Sequence, residues 1–252
     1  TMAIRYNFVG AGGETGKLRW LTHYYHEQEP EFLYPVFDKI FLQILNPWYG
    51  QPVDKIIYPF RDHDPTLTFF SSIYDVVDNL FGITPEKETM IIPESDRPLL
   101  NPYHFLKYEY PRLREWSITY PTGICHGDLN MQNILLDEAM NVFLIDFSET
   151  RPRALISDFA RLEAIFLADN APVETENDIR DYVDFLRGFY SMGHLTRIPD
   201  SLYHGRHPEK MKKNIGLTMK MRQYAYTYTE GKSDPLPYYL ALLEWVYPVV
   251  CY

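Results

Sequence analysis

Apolar and polar positions alternate along this chain with two different periods, and each change of period marks an element. In AIRYNFVG, Ile4, Tyr6 and Phe8 fall on one side, the period of a half-buried strand, before a glycine turn. From Glu31, the segment EFLYPVFDKIFLQIL puts Phe32, Val36, Phe37, Ile40, Phe41, Ile44 and Leu45 on one face of a long core helix. Asp64-Pro65 offers a cap and a first-turn proline to TLTFFSSIYDVVDNLF, with Gly82 just past its end. ETMIIP is a short β-rich run, and Asn101-Pro102 opens a helix over NPYHFLKYEY that Pro111 interrupts. NILLD and NVFLIDF, two apolar runs joined by the turn-like DEAMN, predict a β-hairpin. Beyond it the helical period governs 158–170, 177–192 and 208–229 and the closing PYYLALLEWVY. The expectation is an α+β chain, mostly helical with a central β-hairpin.

Composition narrows what these elements can serve. With 252 residues, 46% hydrophobic and 23% charged, the chain can bury one large core or two modest ones. Its 19 prolines fall mostly between or at the starts of helices, so they punctuate the fold and require no linker. No run of about 18 apolar residues exists to span a bilayer, and TMAIRYNFVG lacks a signal-peptide pattern, which predicts a cytoplasmic protein with no membrane partner. Cys125 and Cys251 are too few for a disulfide scaffold or a zinc cluster and read as free thiols. A net charge of −10 opposes nucleic-acid binding and suits neutral or cationic small molecules.

The candidate chemistry lies in HGDLNMQNILLDEAMNVFLIDF, residues 126–147. The loop His126-Gly127-Asp128 precedes the first hairpin strand, Asn133 starts that strand, and Asp146 ends the second. Folding the hairpin brings Asp128, Asn133 and Asp146 to one edge, where two carboxylates and an amide oxygen suit a hard cation such as Mg²⁺.

At these residues the chain resembles the protein-kinase-like superfamily, in its aminoglycoside phosphotransferase and choline kinase branch, through HGDLNMQN and LIDF. The layout also resembles kinase-like modules of bacterial ternary-complex signalling or conflict proteins. The resemblance covers roughly 124–165 and implies a kinase-like large, C-terminal lobe that transfers a phosphoryl group from ATP to a small-molecule hydroxyl. It further implies Asp128 as the base that takes the hydroxyl proton, His126 as the residue that orients the loop, and Asn133 and Asp146 as the holders of Mg²⁺ against the nucleotide. Ser148 stands where protein kinases usually carry glycine. In ISDFARLEAIF, Asp158 resembles the helix-start aspartate that bonds the catalytic-loop backbone; an ordinary helix cap is the alternative there.

A kinase also needs a small sheet-rich lobe with a glycine-rich loop and a strand lysine. GAGGETGKL fails as a Walker loop, because Ala11 and Leu18 stand where glycine and Ser or Thr are required. As a kinase loop it has one residue too many, and KLRWLTHYYHE behind it reads as helix; Lys39 and Lys55 have the wrong surroundings for the missing lysine. Residues 1–30 are therefore read as a short strand and glycine-rich turn, a remnant of the small lobe or its hinge, and 31–252 as the kinase-like helical lobe with the catalytic hairpin at 124–148. The small lobe is expected upstream of this sequence, on a partner domain or chain, or lost. In the last case the chain is a pseudokinase-like binding module. Acidic residues behind the motif, Glu163, Asp169, Glu174, Glu176, Asp178, Asp181 and Asp184, either attract a cationic substrate or form a solvated face, the bland reading being favoured. Tyr224, Tyr226 and Tyr228 are read as core and surface tyrosines in preference to an aromatic box.

Overall fold

The apolar face that starts near Glu31 becomes a helix, and the rest of the fold is arranged against it. The computed structural model describes residues 18–65, 73, 76, 78–79, 82–91, 98–197 and 203–247. The strand read in AIRYNFVG, the turn GAGGETGK, most of TLTFFSSIYDVVDNLF and Cys251 lie outside the described residues.

β1 (Arg19–Trp20) and α1 (Leu21–Glu27) lead into α2 (Pro30–Lys39), which continues as a wider π-helical turn over Ile40–Ile44. Leu21 and Tyr25 of α1 share the main core with Leu33, Phe37 and Phe41 of the long helix. Phe41 meets Phe159 and Tyr224 with ring centroids 4.8 and 4.9 Å apart. Burying one such ring stabilises by about 3 kcal/mol, and alanine there would cost roughly 3–5 kcal/mol because a cavity remains. α3 (Asn46–Tyr49), β2 (Val53–Ile57) and α4 (Pro59–Asp62) follow, then a two-stranded ribbon of β3 (Thr89–Ile91) and β4 (Pro98–Leu100). Asn101 caps α5 (Pro102–His104) as its composition predicts, its Oδ1 accepting the Tyr103 N–H at 3.0 Å.

β5 (Ile118–Cys125), β6 (Ile134–Leu136), β7 (Val142–Leu144) and β8 (Arg151–Ala154) then lie in one stretch of chain. β6 and β7 form the expected hairpin, Ile134 opposite Leu144, and β1 adds a third antiparallel strand to it. A second antiparallel sheet, β2-β5-β8, has no counterpart in the sequence reading. The fold is therefore mixed α and β, about half helical with small antiparallel sheets, where a mostly helical chain with one hairpin was expected. β5 contains Pro121 although it is a central strand. The proline carbonyl accepts the Leu155 N–H at 3.2 Å on the β8 side, past the end of β8, so the missing N–H interrupts no ladder.

The helical half follows: α6 (Ser157–Ala164) with a π-helical turn over Ile165–Asp169, α7 (Glu176–Tyr190), α8 (Pro208–Tyr228) and α9 (Leu236–Val246). Thr175 and Asp178 start α7 with a reciprocal capping box. Glu163 departs from the solvated acidic face read in the sequence. It is fully buried and takes two bonds from the Arg222 guanidinium, at 2.6 and 2.9 Å, with Tyr190 and Tyr238 hydroxyls donating to the same carboxylate at 2.9 Å. Tyr224 and Tyr228 are core residues whose hydroxyls donate to Asp38 and to the Phe41 carbonyl. Among the described residues, no helix is long and apolar enough to cross a membrane.

Candidate active site

The loop after β5 is shaped by its own backbone. Gly127 has φ +90°, and a Cβ there would stand 2.2 Å from the Glu149 carbonyl oxygen, so glycine alone fits. Asn130 closes the following turn, its Oδ1 accepting the N–H groups of Gln132 at 2.8 Å and Asn133 at 3.0 Å. Cys125, just before the loop, is fully buried, and burial pushes its thiol well above the usual 9.0.

Asp158 sits beneath this loop. Its carboxylate accepts the backbone N–H of His126 at 2.7 Å and of Gly127 at 2.9 Å, and the Tyr49 hydroxyl donates to it as well. Burial, then the Asp158 charge, drive the Tyr49 hydroxyl well above its ordinary 10.0, so it stays a donor. The loop-backbone contact that the resemblance implies for Asp158 is present. The capping alternative is not, because no side chain caps the start of α6.

His126 is fully buried, and its Nε2 donates to the Ile145 carbonyl at 2.9 Å. Ile145 in turn donates its N–H to the Asn133 carbonyl at 3.0 Å. The residue before Asp146 is thereby fixed from both sides. Asp146 itself is exposed and left-handed at φ +60°, a conformation uncommon outside glycine, asparagine and aspartate. Its Oδ1 accepts the Ser148 hydroxyl at 2.9 Å. The next residue, Phe147, packs its ring 5.0 Å from His126 and 5.9 Å from Trp48.

Asp128 is partly exposed. Asn133 Nδ2 donates to its carbonyl at 2.9 Å and lies 3.4 Å from its Oδ2, while Asn130 Nδ2 reaches Oδ2 at 3.2 Å. With its amide nitrogen committed to Asp128, Asn133 keeps its Oδ1 for another ligand. Asp128 and Asn133 are thus joined directly, and the residue before Asp146 is tied to Asn133 through its backbone. The reading missed Arg161. Its Nε bonds Asp128 Oδ1 at 3.2 Å, and its guanidinium lies 4.3 Å over the Trp245 ring. The signal was available, because Arg161 is three residues past Asp158 on one helix and so shares its face.

Beside Arg161 a polar cavity of about 270 Å³ is lined by Thr22, Asn130, Gln132, Arg161, Asp169 and Asn170. Of the acidic residues named from the sequence, Asp169 is the one in this lining, and burial raises its pKa against the opposing effect of Arg161. Among the described residues no group of three or more histidine, cysteine or carboxylate side chains could cage a metal ion. Asp146 and Asn133 would offer magnesium a sparser oxygen set, with phosphates and waters completing its shell.

A family model described as ternary complex associated domain 9 matches residues 75–244. That span is more than half of the chain. No curated protein and no solved structure matches it.

Proposed function

The chain belongs to the ternary complex associated domain 9 family, and we propose that within it this protein carries a protein-kinase-like large lobe that transfers the γ-phosphoryl of a nucleoside triphosphate to a small-molecule hydroxyl. One observation carries the reading: Asn133 joins Asp128 through its side chain and Ile145 through its carbonyl, so the proposed base and the residue preceding Asp146 belong to one hydrogen-bonded unit. The topology agrees with it, since β5 before the loop pairs with β8 after Asp146 and the β6–β7 hairpin lies between.

In this reading Asp128 accepts the proton of the attacking hydroxyl. The acceptor occupies the polar cavity beside Arg161, whose amides and hydroxyl suit a hydroxylated molecule. His126 and Asp158 hold the loop. Asp146 and Asn133 hold magnesium, which when bound neutralises phosphate charge. This reading requires a phosphate-covering small lobe, and GAGGETGK, the candidate for its loop, lies outside the described residues.

A second reading, a binding module without turnover, is favoured by the Arg161–Asp128 pair, because an arginine occupies the carboxylate that should take the proton. Titration with Mg-ADP and Mg-ATP tests the first reading. With the small lobe present, magnesium-dependent binding should occur and should be lost in Asp146→Asn, a variant that tolerates φ > 0 and removes the charge. Unchanged affinity in that variant would remove the phosphotransferase assignment. Binding with no transfer to any of a panel of sugars, amino sugars and amino alcohols would favour the module.

A further inference from the structure

The guanidinium that reaches Asp128 stands between two carboxylates. Arg161 bonds Asp128 Oδ1 through Nε alone, at 3.2 Å, and it lines the polar cavity together with Ile165 and Asp169. We propose that Arg161 is a gate with two seats, closed on Asp128 in this structure and open on Asp169, so that Asp128 is released to a ligand hydroxyl while the arginine stays paired. What the released carboxylate then does rests on the phosphotransferase reading; the two seats do not.

The helix supplies the geometry. Asp169 follows Arg161 by eight residues, whereas two turns of a regular α-helix take about 7.2. α6 gives way to a π-helical turn over Ile165–Asp169, whose wider i→i+5 repeat absorbs the surplus residue and brings Asp169 back to the side of Arg161. Ile165, between the two, lies in the same lining and makes their wall continuous. Two turns rise about 11 Å, within the combined reach of an extended arginine and an aspartate. The Arg161 charge is already felt at the far seat, where it opposes the effect of burial on the Asp169 carboxyl.

The partners at both seats suit exchange. The Arg161 and Asp128 side chains are partly exposed, and a pair so placed favours contact by about fivefold at most. Asp169 is exposed and forms no hydrogen bond or ion pair among the described residues, so its carboxylate is open to the arginine. When the arginine leaves, Asp128 keeps Asn130 and Asn133 as donors to Oδ2, and only Oδ1 is freed. A guanidinium handed from one carboxylate to another never stands unpaired, which keeps the release of Asp128 from costing a lone charge.

NMR of the Arg161 side chain tests the proposal. Its guanidinium N–H resonances are assigned by their loss in Arg161→Lys, and a carboxylate partner displaces them downfield and slows their exchange. The displacement should be present in the wild type, should persist in Asp128→Asn, where Asp169 takes the arginine over, and should fall by half or more when Asp169→Asn is added to that variant. Asp169→Asn alone should keep the wild-type displacement, because the closed seat is intact. Circular dichroism verifies that each variant folds. A wild-type resonance coincident with that of Asp128→Asn/Asp169→Asn would remove the closed seat, and coincidence of Asp128→Asn with the same double variant would remove the open one; either overturns the gate. No nucleotide enters the measurement, so its outcome is separate from that of the Mg-nucleotide titration.

Discussion

Asp158 and Asp146 carry the same functional group on either side of one strand, and they are held in opposite ways. Asp158 is 1% exposed and takes bonds from Tyr49, His126 and Gly127. Asp146 is exposed, stands in a left-handed backbone conformation, and accepts a side-chain hydrogen bond from Ser148. A carboxylate whose oxygens are all committed to protein donors fixes a shape. A carboxylate held open in an uncommon conformation is free to meet a ligand, and such conformations concentrate at functional sites.

The largest effect should come from Asp158→Ala, which strands two backbone N–H groups and a hydroxyl in the interior. At roughly 1–3 kcal/mol for each unmet group, about 4 kcal/mol of stability should go, measured by urea unfolding. A loss below about 1 kcal/mol would mean that Asp158 is no anchor, and the contrast with Asp146 would dissolve.

Glu244→Gln should come next, costing about 3 kcal/mol at neutral pH because it leaves Arg153 buried with its charge unmatched. Burial raises the Glu244 pKa, but His63 and Arg153 outweigh it, and the net position is below the ordinary 4.5. A carboxylate lowered on folding adds stability that is complete above 4.5 and is lost as pH falls through its folded value. The wild type should therefore lose its advantage over Glu244→Gln progressively below pH 4.5. Acid titration of both proteins by fluorescence reads the convergence, and parallel curves would contradict it.

The open side should respond weakly. Arg161 and Asp128 form a partly exposed pair, with side chains 20% and 31% accessible, so a double-mutant cycle with Arg161→Gln and Asp128→Asn should give a coupling below about 1 kcal/mol. The smallest effect is opposite in sign. Asp146→Gly should leave stability unchanged or raise it by up to about 1 kcal/mol, because glycine adopts φ > 0 without a Cβ penalty, while abolishing magnesium-dependent nucleotide binding. Destabilisation comparable to Asp158→Ala would show that both carboxylates are structural.

What was legible in the sequence follows from how strongly each element marks its period. The β6–β7 hairpin was readable because two apolar runs flank a polar turn, and the long helix because its buried face repeats over four turns of chain. The β2-β5-β8 sheet was not. Four of the five β2 residues are exposed, β8 has four residues including Pro152, and β5 mixes threonine, glycine and proline, so no strand shows a clean alternation. These strands form through cross-strand pairing, a non-local effect that composition does not carry. The Asp128–Asn133 contact could be anticipated from their five-residue spacing at the start of the hairpin. Glu163 could not be told from exposed acidic neighbours such as Asp181 and Asp184, because its partner Arg222 is distant in sequence and meets it through helix packing.

The thiol that ends β5 also gives the protein a clock. Cys125 is buried one residue before the loop, so an alkylating reagent reaches it only when that region opens. Its alkylation rate, followed while ligands are added, therefore counts openings of the strand that carries His126 into the site.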